Sequence, residues 1–224
     1  MPQIVEINPL KPQYTRISRA VVVLQAGGVV AFPTETFYGL AVDAMNRCAI
    51  ERIFKIKGRA FSNPIALIAD EKSGVGALVA EIPTAACRLM HAFWPGPLTL
   101  LFSASPRISP RLTAGTGKIG IRISNHLIAA GLAVRLGGPI TATSANLSGT
   151  PECNTATEVL ANLGDRVDLI IDGGATPGGK GSTLLDITAD PPVCLREGAI
   201  TRLNIQEALI STSCRLSDGT TGDL

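Results

Sequence analysis

The sequence predicts an α/β or α+β fold. Short apolar runs typical of buried strands alternate with segments in which apolar residues recur at helical spacing. The chain has 224 residues, of which 46% are apolar, enough to bury a sizeable core. No stretch approaches the roughly 20 apolar residues that a membrane helix needs, and no signal-peptide pattern opens the chain. A cytoplasmic protein with no membrane partner is therefore expected.

Six segments are predicted to be helices. Residues 17–28 end in a glycine pair, residues 46–58 begin with Asn46, a common helix cap, and residues 83–93 open with a proline. Further helices are expected at about residues 125–136, 154–163 and 204–210.

Seven apolar runs are predicted to be strands, and their alternation with the helices argues against a helix bundle or an all-β fold. The predicted strands are residues 29–32, 64–69, 97–104, 118–123, 139–143, 167–172 and 182–187. Residues 211–224 are polar, and we expect them to form a flexible tail.

The glycine-rich stretch DGGATPGGKGST, residues 172–183, looks at first like a phosphate-binding loop. Gly174 to Lys180 fit the pattern G-x-x-x-x-G-K, but Gly181 stands where that motif needs serine or threonine. A Walker loop leads from a strand into a helix, whose N-terminus faces the phosphates. Here the loop leads into a predicted strand, so we predict that it is not a Walker loop.

Two basic clusters suggest an anionic ligand, although either alone could be an ordinary solvated face. The net charge is only +2, but the cations are grouped. The first cluster is Arg52, Lys55, Lys57 and Arg59, and the second, with no acid in between, is Arg107, Arg111, Lys118 and Arg122.

Polar turns that follow predicted strands could supply a binding site, although ordinary turn chemistry would also account for them. Residues 32–40 (FPTETFYGL) and 141–149 (TATSANLSG) carry hydroxyls, a carboxylate and an amide.

Five scattered cysteines without C-x-x-C and only two histidines argue against a zinc site. No His–Asp pair lies near Ser144, which disfavours a hydrolase nucleophile. These features favour an enzyme that positions a nucleotide and a small acid so that they react with each other.

Six motifs in order carry a resemblance to a known family. They are FPTETFYGLAVDA, IFKIKGRAFSNPIALIAD, FWPGPLTLLF, IGIRISNH, TATSANLSGTP and GSTLLDI followed by CLREGAI. Together they resemble the YrdC-like family of L-threonylcarbamoyladenylate synthases over about residues 4–205, and the length is similar to that of the short, single-domain members. The resemblance implies one α/β (α+β) domain with a twisted mixed sheet, helices on its faces and an open basic cavity.

The resemblance also implies an activity. L-threonine, bicarbonate and ATP would give threonylcarbamoyl-AMP and pyrophosphate, with Mg²⁺ bound through the nucleotide rather than by protein side chains. A threonylcarbamoyl-transfer complex would then modify the adenosine beside the anticodon of tRNA.

Roles for individual residues follow from the matched motifs. Lys57 and Arg59 form the K-x-R pair of the family and would be catalytic. The residues implied to bind threonine are Thr36, Arg122, Ala142 and Ser182. Those implied to bind ATP are Arg59, Asn63, Lys118, Ser144, Asn146 and Arg196.

This chain departs from the family pattern at several positions. Ile68 replaces a histidine of the long members, Ser124 a usual proline, Lys118 a common threonine and Glu152 a serine. Two further functions stay open: a family paralogue with another substrate, and a double-stranded RNA-binding module that contacts phosphates alone.

Overall fold

The computed structural model describes residues 1–58 and 63–210, and in that part of the chain strands and helices alternate. The strands are β1 (Gln3–Glu6), β2 (Val30–Phe32), β3 (Gly39–Ala41), β4 (Leu67–Ile68), β5 (Leu98–Ser103), β6 (Lys118–Arg122), β7 (Ile140–Thr141), β8 (Thr143–Ser144), β9 (Leu169–Asp172), β10 (Thr183–Asp186) and β11 (Val193–Arg196). The helices are α1 (Tyr14–Gln25), α2 (Arg47–Lys57), α3 (Thr84–Phe93), α4 (Leu127–Leu136), α5 (Ala156–Leu163) and α6 (Arg202–Ile210).

The strands form two mixed sheets. The first has the order β1-β9-β2-β3-β8, and the second has the order β11-β10-β5-β6-β4-β7. Each contains parallel pairs, such as β1 with β9 and β10 with β5, and antiparallel pairs, such as β2 with β3 and β5 with β6. The mixed α/β architecture that the sequence predicts is confirmed, with the strands divided between two sheets.

The apolar core has two layers, on opposite faces of the first sheet. Val30 and Phe32 of β2 pack with residues of α1 and α4, whereas Val29 and Ala31 face the layer that contains α2 and the second sheet. This alternation follows from the two-residue period of a strand. Because both faces of β2 are covered, its residues are apolar throughout, as expected for a central strand.

The ends of α2 illustrate how local sequence sets the bounds of a helix. The Asn46 side chain accepts a hydrogen bond from the backbone N–H of Ala49 at 3.1 Å, as the sequence predicts for a cap. At the other end Gly58 has a φ of 56°, the left-handed conformation that glycine adopts easily. Lys57 is therefore held at a sharp end of the helix.

All six predicted helices are present, shifted by a few residues at their ends, and each of the seven predicted strands overlaps an observed one. Three short strands, β1, β3 and β11, were not predicted, and β8 shares only Thr143 with the predicted strand 139–143. The predicted flexible tail, residues 211–224, lies outside the described residues. Within the described ranges, each helix is too short or too polar to cross a membrane.

Candidate active site

A cavity of about 390 Å³ is lined by strands of both sheets and the turns that follow them. Residue Ala142 connects β7, at the edge of the second sheet, to β8, at the edge of the first, so the two sheets meet here. The backbone N–H of Ala142 donates to the carbonyl oxygen of Ala66 at 2.8 Å, which fixes this crossing. The cavity thus collects polar residues that are far apart in sequence.

Arg122 supplies a buried cation to the cavity. It is the last residue of β6 and only 7% exposed, yet it lines the cavity. Its Nε lies 3.5 Å from Oε1 of Glu35, in the turn between β2 and β3. A guanidinium at a cavity wall can bind a planar carboxylate through two parallel hydrogen bonds.

A second cation, Arg196, is fixed around Ser182 at another wall. Its Nη2 donates to the Ser182 carbonyl oxygen at 2.9 Å and to the Ser182 hydroxyl at 3.2 Å. The same hydroxyl lies 3.0 Å from the hydroxyl of Thr99 on β5. Three side chains from three strands or strand ends thus share one hydrogen-bond network at the cavity wall.

Lys57 is hydrogen-bonded to the turn that carries Ser144 and Asn146. Its ammonium donates to the carbonyl oxygens of Ser144 at 2.5 Å and Asn146 at 2.9 Å, and to Oδ1 of Asn146 at 3.2 Å. Since an ammonium has three N–H donors, these contacts engage it with the turn. The geometry makes Lys57 an internal support of the turn, and only Ser144 of the three lines the cavity.

The glycine-rich loop runs from the end of β9 into β10, as the sequence predicts. Hydrogen bonds join it to residues 33–38, the PTET turn and the two residues after it. The hydroxyl of Tyr38 donates to the Gly174 carbonyl oxygen at 2.7 Å, and Gly178 N–H donates to the Thr36 carbonyl oxygen at 2.9 Å. Burial raises the pKa of Tyr38 to about 12, although the Gly173 N–H opposes the shift. The phenol therefore stays a neutral donor at ordinary pH.

These features match a known family of proteins. The profile of the Sua5/YciO/YrdC family, which is described as "Telomere recombination", matches residues 22–198.

The chain belongs to the Sua5/YciO/YrdC family.

Individual relatives agree with this assignment. A threonylcarbamoyl-AMP synthase of Bacillus subtilis is 41% identical over 205 residues, which are 91% of this chain and 58% of the relative. The solved structure of Pyrococcus abyssi Sua5 complexed with L-threonine has a TM-score of 0.88 and 37% identity, covering 93% of this chain and 61% of that one. Escherichia coli YciO has a TM-score of 0.82 and 32% identity, covering 89% and 97%. The chain thus spans about three fifths of the first two proteins.

The cavity brings together most of the residues that the family motifs single out. Those that line it are Thr36, Arg122, Ala142, Ser144, Ser182 and Arg196. They come from five separate segments of the chain, so their convergence could not follow from sequence proximity. Their individual roles stay predictions.

Five predicted site residues do not line the cavity or cannot be placed, and Lys57, which supports the turn of Ser144, is one of them. Asn146 is buried beside Lys57, and Asn63 is exposed next to Pro64, which does line the cavity. Lys118 lies at the other end of β6 from Arg122, about 13 Å away along the strand, and its Nζ contacts Oδ2 of Asp186 at 2.8 Å. Arg59 lies outside the described residues.

The sequence analysis did not assign Thr99 or Tyr38 to the site, although both line the cavity. Thr99 interrupts an otherwise apolar strand, and a buried hydroxyl in such a strand needs a hydrogen-bond partner. The position of this threonine in an apolar strand was the feature of the sequence that could have indicated a site residue. Ile68, by contrast, is fully buried in the apolar core and does not line the cavity.

The LREG motif needs its glycine because two backbone segments cross there. A Cβ on Gly198 would lie 2.1 Å from the Gly181 carbonyl oxygen and 2.6 Å from the Ser182 carbonyl carbon. We therefore expect Gly198→Ala to lower the free energy of unfolding by about 3 kcal/mol, measured by urea denaturation. Gly76→Ala is the control, since its Cβ would meet nothing within 4 Å. Equal stability of the two variants would contradict this crossing.

His126, next to the Arg122 segment, should make stability depend on pH. Burial lowers the pKa of His126 from its ordinary value of 6.5, although the charge of Glu35 opposes the shift. The unfolded chain therefore binds a proton more readily than the folded one, and stability is lost as the pH falls below about 6.5. We expect a loss of at most about 1.4 kcal/mol per pH unit between about pH 7.5 and 5.5, measured by urea unfolding. If His126→Gln shows the same loss over that range, this attribution is wrong.

Proposed function

We propose that the chain is an L-threonylcarbamoyladenylate synthase. The observation that carries the proposal is the convergence of Arg122 and Arg196 with the hydroxyls of Thr36, Ser144 and Ser182 around one cavity. The 37% identity to a protein solved in complex with L-threonine supports threonine as one substrate. The synthase name of the Bacillus subtilis relative supports the reaction.

The proposed reaction joins the three substrates in two balanced steps. The threonine amine attacks the carbon of bicarbonate, and loss of water gives a carbamate. A carbamate oxygen then attacks the α-phosphorus of ATP, the bond from that phosphorus to the bridging oxygen breaks, and pyrophosphate leaves. Neither step requires a covalent bond to the enzyme, which agrees with a site rich in cations and hydroxyls. Catalysis would then come from positioning and from neutralisation of phosphate charge.

We assign threonine and ATP to adjoining parts of the cavity, which meet where Arg196 donates to Ser182. The guanidinium of Arg122 would bind the threonine carboxylate, with Thr36, Ser182 and the backbone of Ala142 beside it. The proposed ATP-binding residues at the cavity are Ser144 and Arg196, with Asn63 beside the cavity. Lys118 and Asn146, which do not line the cavity, and Arg59, which lies outside the described residues, stay predicted ATP ligands from the family motifs. Mg²⁺ would be held by the phosphates of the nucleotide. When bound, such an ion would neutralise part of the phosphate charge.

The proposed partners follow from the product. Threonylcarbamoyl-AMP is an activated acyl donor, so an acyltransferase must consume it, and the family resemblance implies that this is a complex acting on tRNA. We therefore place the chain in the cytoplasm, with tRNA and that complex as downstream partners.

Pyrophosphate release from ATP tests the proposal. We expect release only when L-threonine and bicarbonate are both present, and a loss of release in bicarbonate-depleted buffer. Release without threonine, or none with all three substrates, would count against the synthase.

The second candidate is a paralogue that uses another substrate, because this chain matches 97% of Escherichia coli YciO, a family member whose name states no synthase activity. A panel of amino acids in the same assay distinguishes the two, because a paralogue would prefer another acid to L-threonine. Double-stranded RNA binding without any pyrophosphate release would instead favour the RNA-binding module.

A further inference from the structure

The buried pair of Arg122 and Glu35 has a third member that the family resemblance does not assign. The Ser124 hydroxyl donates to Oε2 of Glu35, and it accepts a hydrogen bond from the backbone N–H of His126 at 3.1 Å. Ser124 is 1% exposed, and the side chains of Glu35 and Arg122 are 10% and 9% exposed. The three residues therefore form one buried chain of polar contacts that ends at the cavity.

Within the part of the chain that the structure describes, Glu35 has one carboxylate oxygen that accepts a hydrogen bond and one that does not. Oε2 of Glu35 is held by Ser124, whereas Oε1 of Glu35 and Nε of Arg122 are buried and have no hydrogen-bond partner within the described residues. Their separation of 3.5 Å gives an ion pair without a hydrogen bond. Glu35 does not line the cavity. Arg122 does line it, so a ligand in the cavity would meet the guanidinium and not the Glu35 carboxylate.

We propose that Ser124 and Glu35 are positioning residues that hold the Arg122 guanidinium ready for the carboxylate of an amino acid. This inference rests on the proposed function, because it concerns the same cavity. A guanidinium binds a carboxylate through two hydrogen bonds only when an edge that carries two N–H groups points at it. An ion pair at Nε favours the orientation in which the other two nitrogens point to the ligand.

The charge of Glu35 works in the opposite direction. A carboxylate beside Arg122 repels the carboxylate of a ligand, so removing Glu35 would strengthen binding if charge alone mattered. An unpaired guanidinium in a buried site is costly, however, and would be free to turn. If Glu35 were removed, the loss of orientation would weaken carboxylate binding, whereas the loss of its negative charge would strengthen it. The contact to Ser124 favours orientation, since it fixes the direction of the carboxylate without changing the net charge.

Ser124→Ala provides the sharper test because every charge stays in place. We expect the KM for L-threonine to rise about threefold to tenfold, with kcat and the KM for ATP changed by less than about twofold. Ser18→Ala is the matched control: its hydroxyl contacts Arg135 Nε at 3.1 Å, and neither residue lines the cavity. This control should behave as the wild type.

Glu35→Gln keeps the shape of the side chain and removes its charge. We expect weaker L-threonine binding by about tenfold in calorimetry, and a smaller preference for L-threonine over L-threoninol, which lacks the carboxylate. A general loss of structure would weaken both ligands equally. Glu51→Gln is the control, because Glu51 forms a half-exposed pair with Arg111 at 2.9 Å and does not line the cavity.

The outcomes separate the two claims. Unchanged KM values in Ser124→Ala, or tighter threonine binding in Glu35→Gln, would overturn the positioning role while leaving the synthase proposal intact. Threonine binding by the wild type without pyrophosphate release would contradict the synthase alone. An absence of threonine binding by the wild type would overturn both.

Discussion

Replacing Lys57 with methionine is expected to lower kcat/KM for pyrophosphate release by at least about a hundredfold. Methionine keeps the length and apolar stem of the side chain, but it cannot donate to the carbonyl oxygens of Ser144 and Asn146. Those buried acceptors would lose their partner, at a cost of about 3 kcal/mol in the free energy of unfolding. The Ser144 hydroxyl would then lose its fixed position at the cavity.

Lys55→Met is the matched control for this variant. Lys55 lies on the same helix, two residues earlier, and its side chain is exposed. Thermal unfolding and pyrophosphate release are measured on both variants at a temperature where circular dichroism shows them folded. If Lys57→Met kept the activity of Lys55→Met, Lys57 would not be the support of the Ser144 turn.

Replacing Arg122 with alanine is expected to raise the KM for L-threonine by about a hundredfold or more. A charge-assisted pair between a guanidinium and a carboxylate, in a site sheltered from water, is worth about 3 kcal/mol or more when one partner is removed. Arg122 is assigned to the threonine carboxylate and not to ATP, so the KM for ATP should change by less than about threefold. Steady-state kinetics with each substrate varied in turn measure this difference.

Arg122→Lys separates binding from folding. A lysine keeps a cation beside the buried carboxylate of Glu35, so the fold should survive, but it lacks the planar fork. The KM for L-threonine should still rise about tenfold. Arg135→Ala, at an exposed position that does not line the cavity, should leave both KM values unchanged. Equal rises in the KM values for ATP and threonine would argue against a carboxylate site at Arg122.

The long periodic elements were predictable because local sequence decides them. Asn46 and Gly58 mark the ends of α2, and apolar periodicity places its buried face. The short strands β3 and β8 were not predictable as separate strands. Gly39 weakens the strand pattern of β3, and β8 has only two residues, of which Thr143 ends the predicted strand 139–143. They are strands because they pair with each other.

The sequence motifs predicted which residues belong to the candidate site, but not how those residues contact one another. The family resemblance identified Arg122, Ser182 and Arg196, yet the hydrogen bonds that join Arg196 to Ser182 and Ser182 to Thr99 bridge residues 14 and 83 positions apart. The support of Ser144 by Lys57 spans 87 positions. Such contacts depend on the packing of two sheets, which no local pattern encodes.

Incorporation of labelled carbon tests the central claim most directly. The chain is incubated with ATP, L-threonine and isotopically labelled bicarbonate, and the nucleotide products are separated and analysed by mass spectrometry. The account predicts an adenylate that contains threonine and the label together, formed in an amount equal to the pyrophosphate released. An adenylate without the label, or pyrophosphate release without any threonine-containing adenylate, would contradict it.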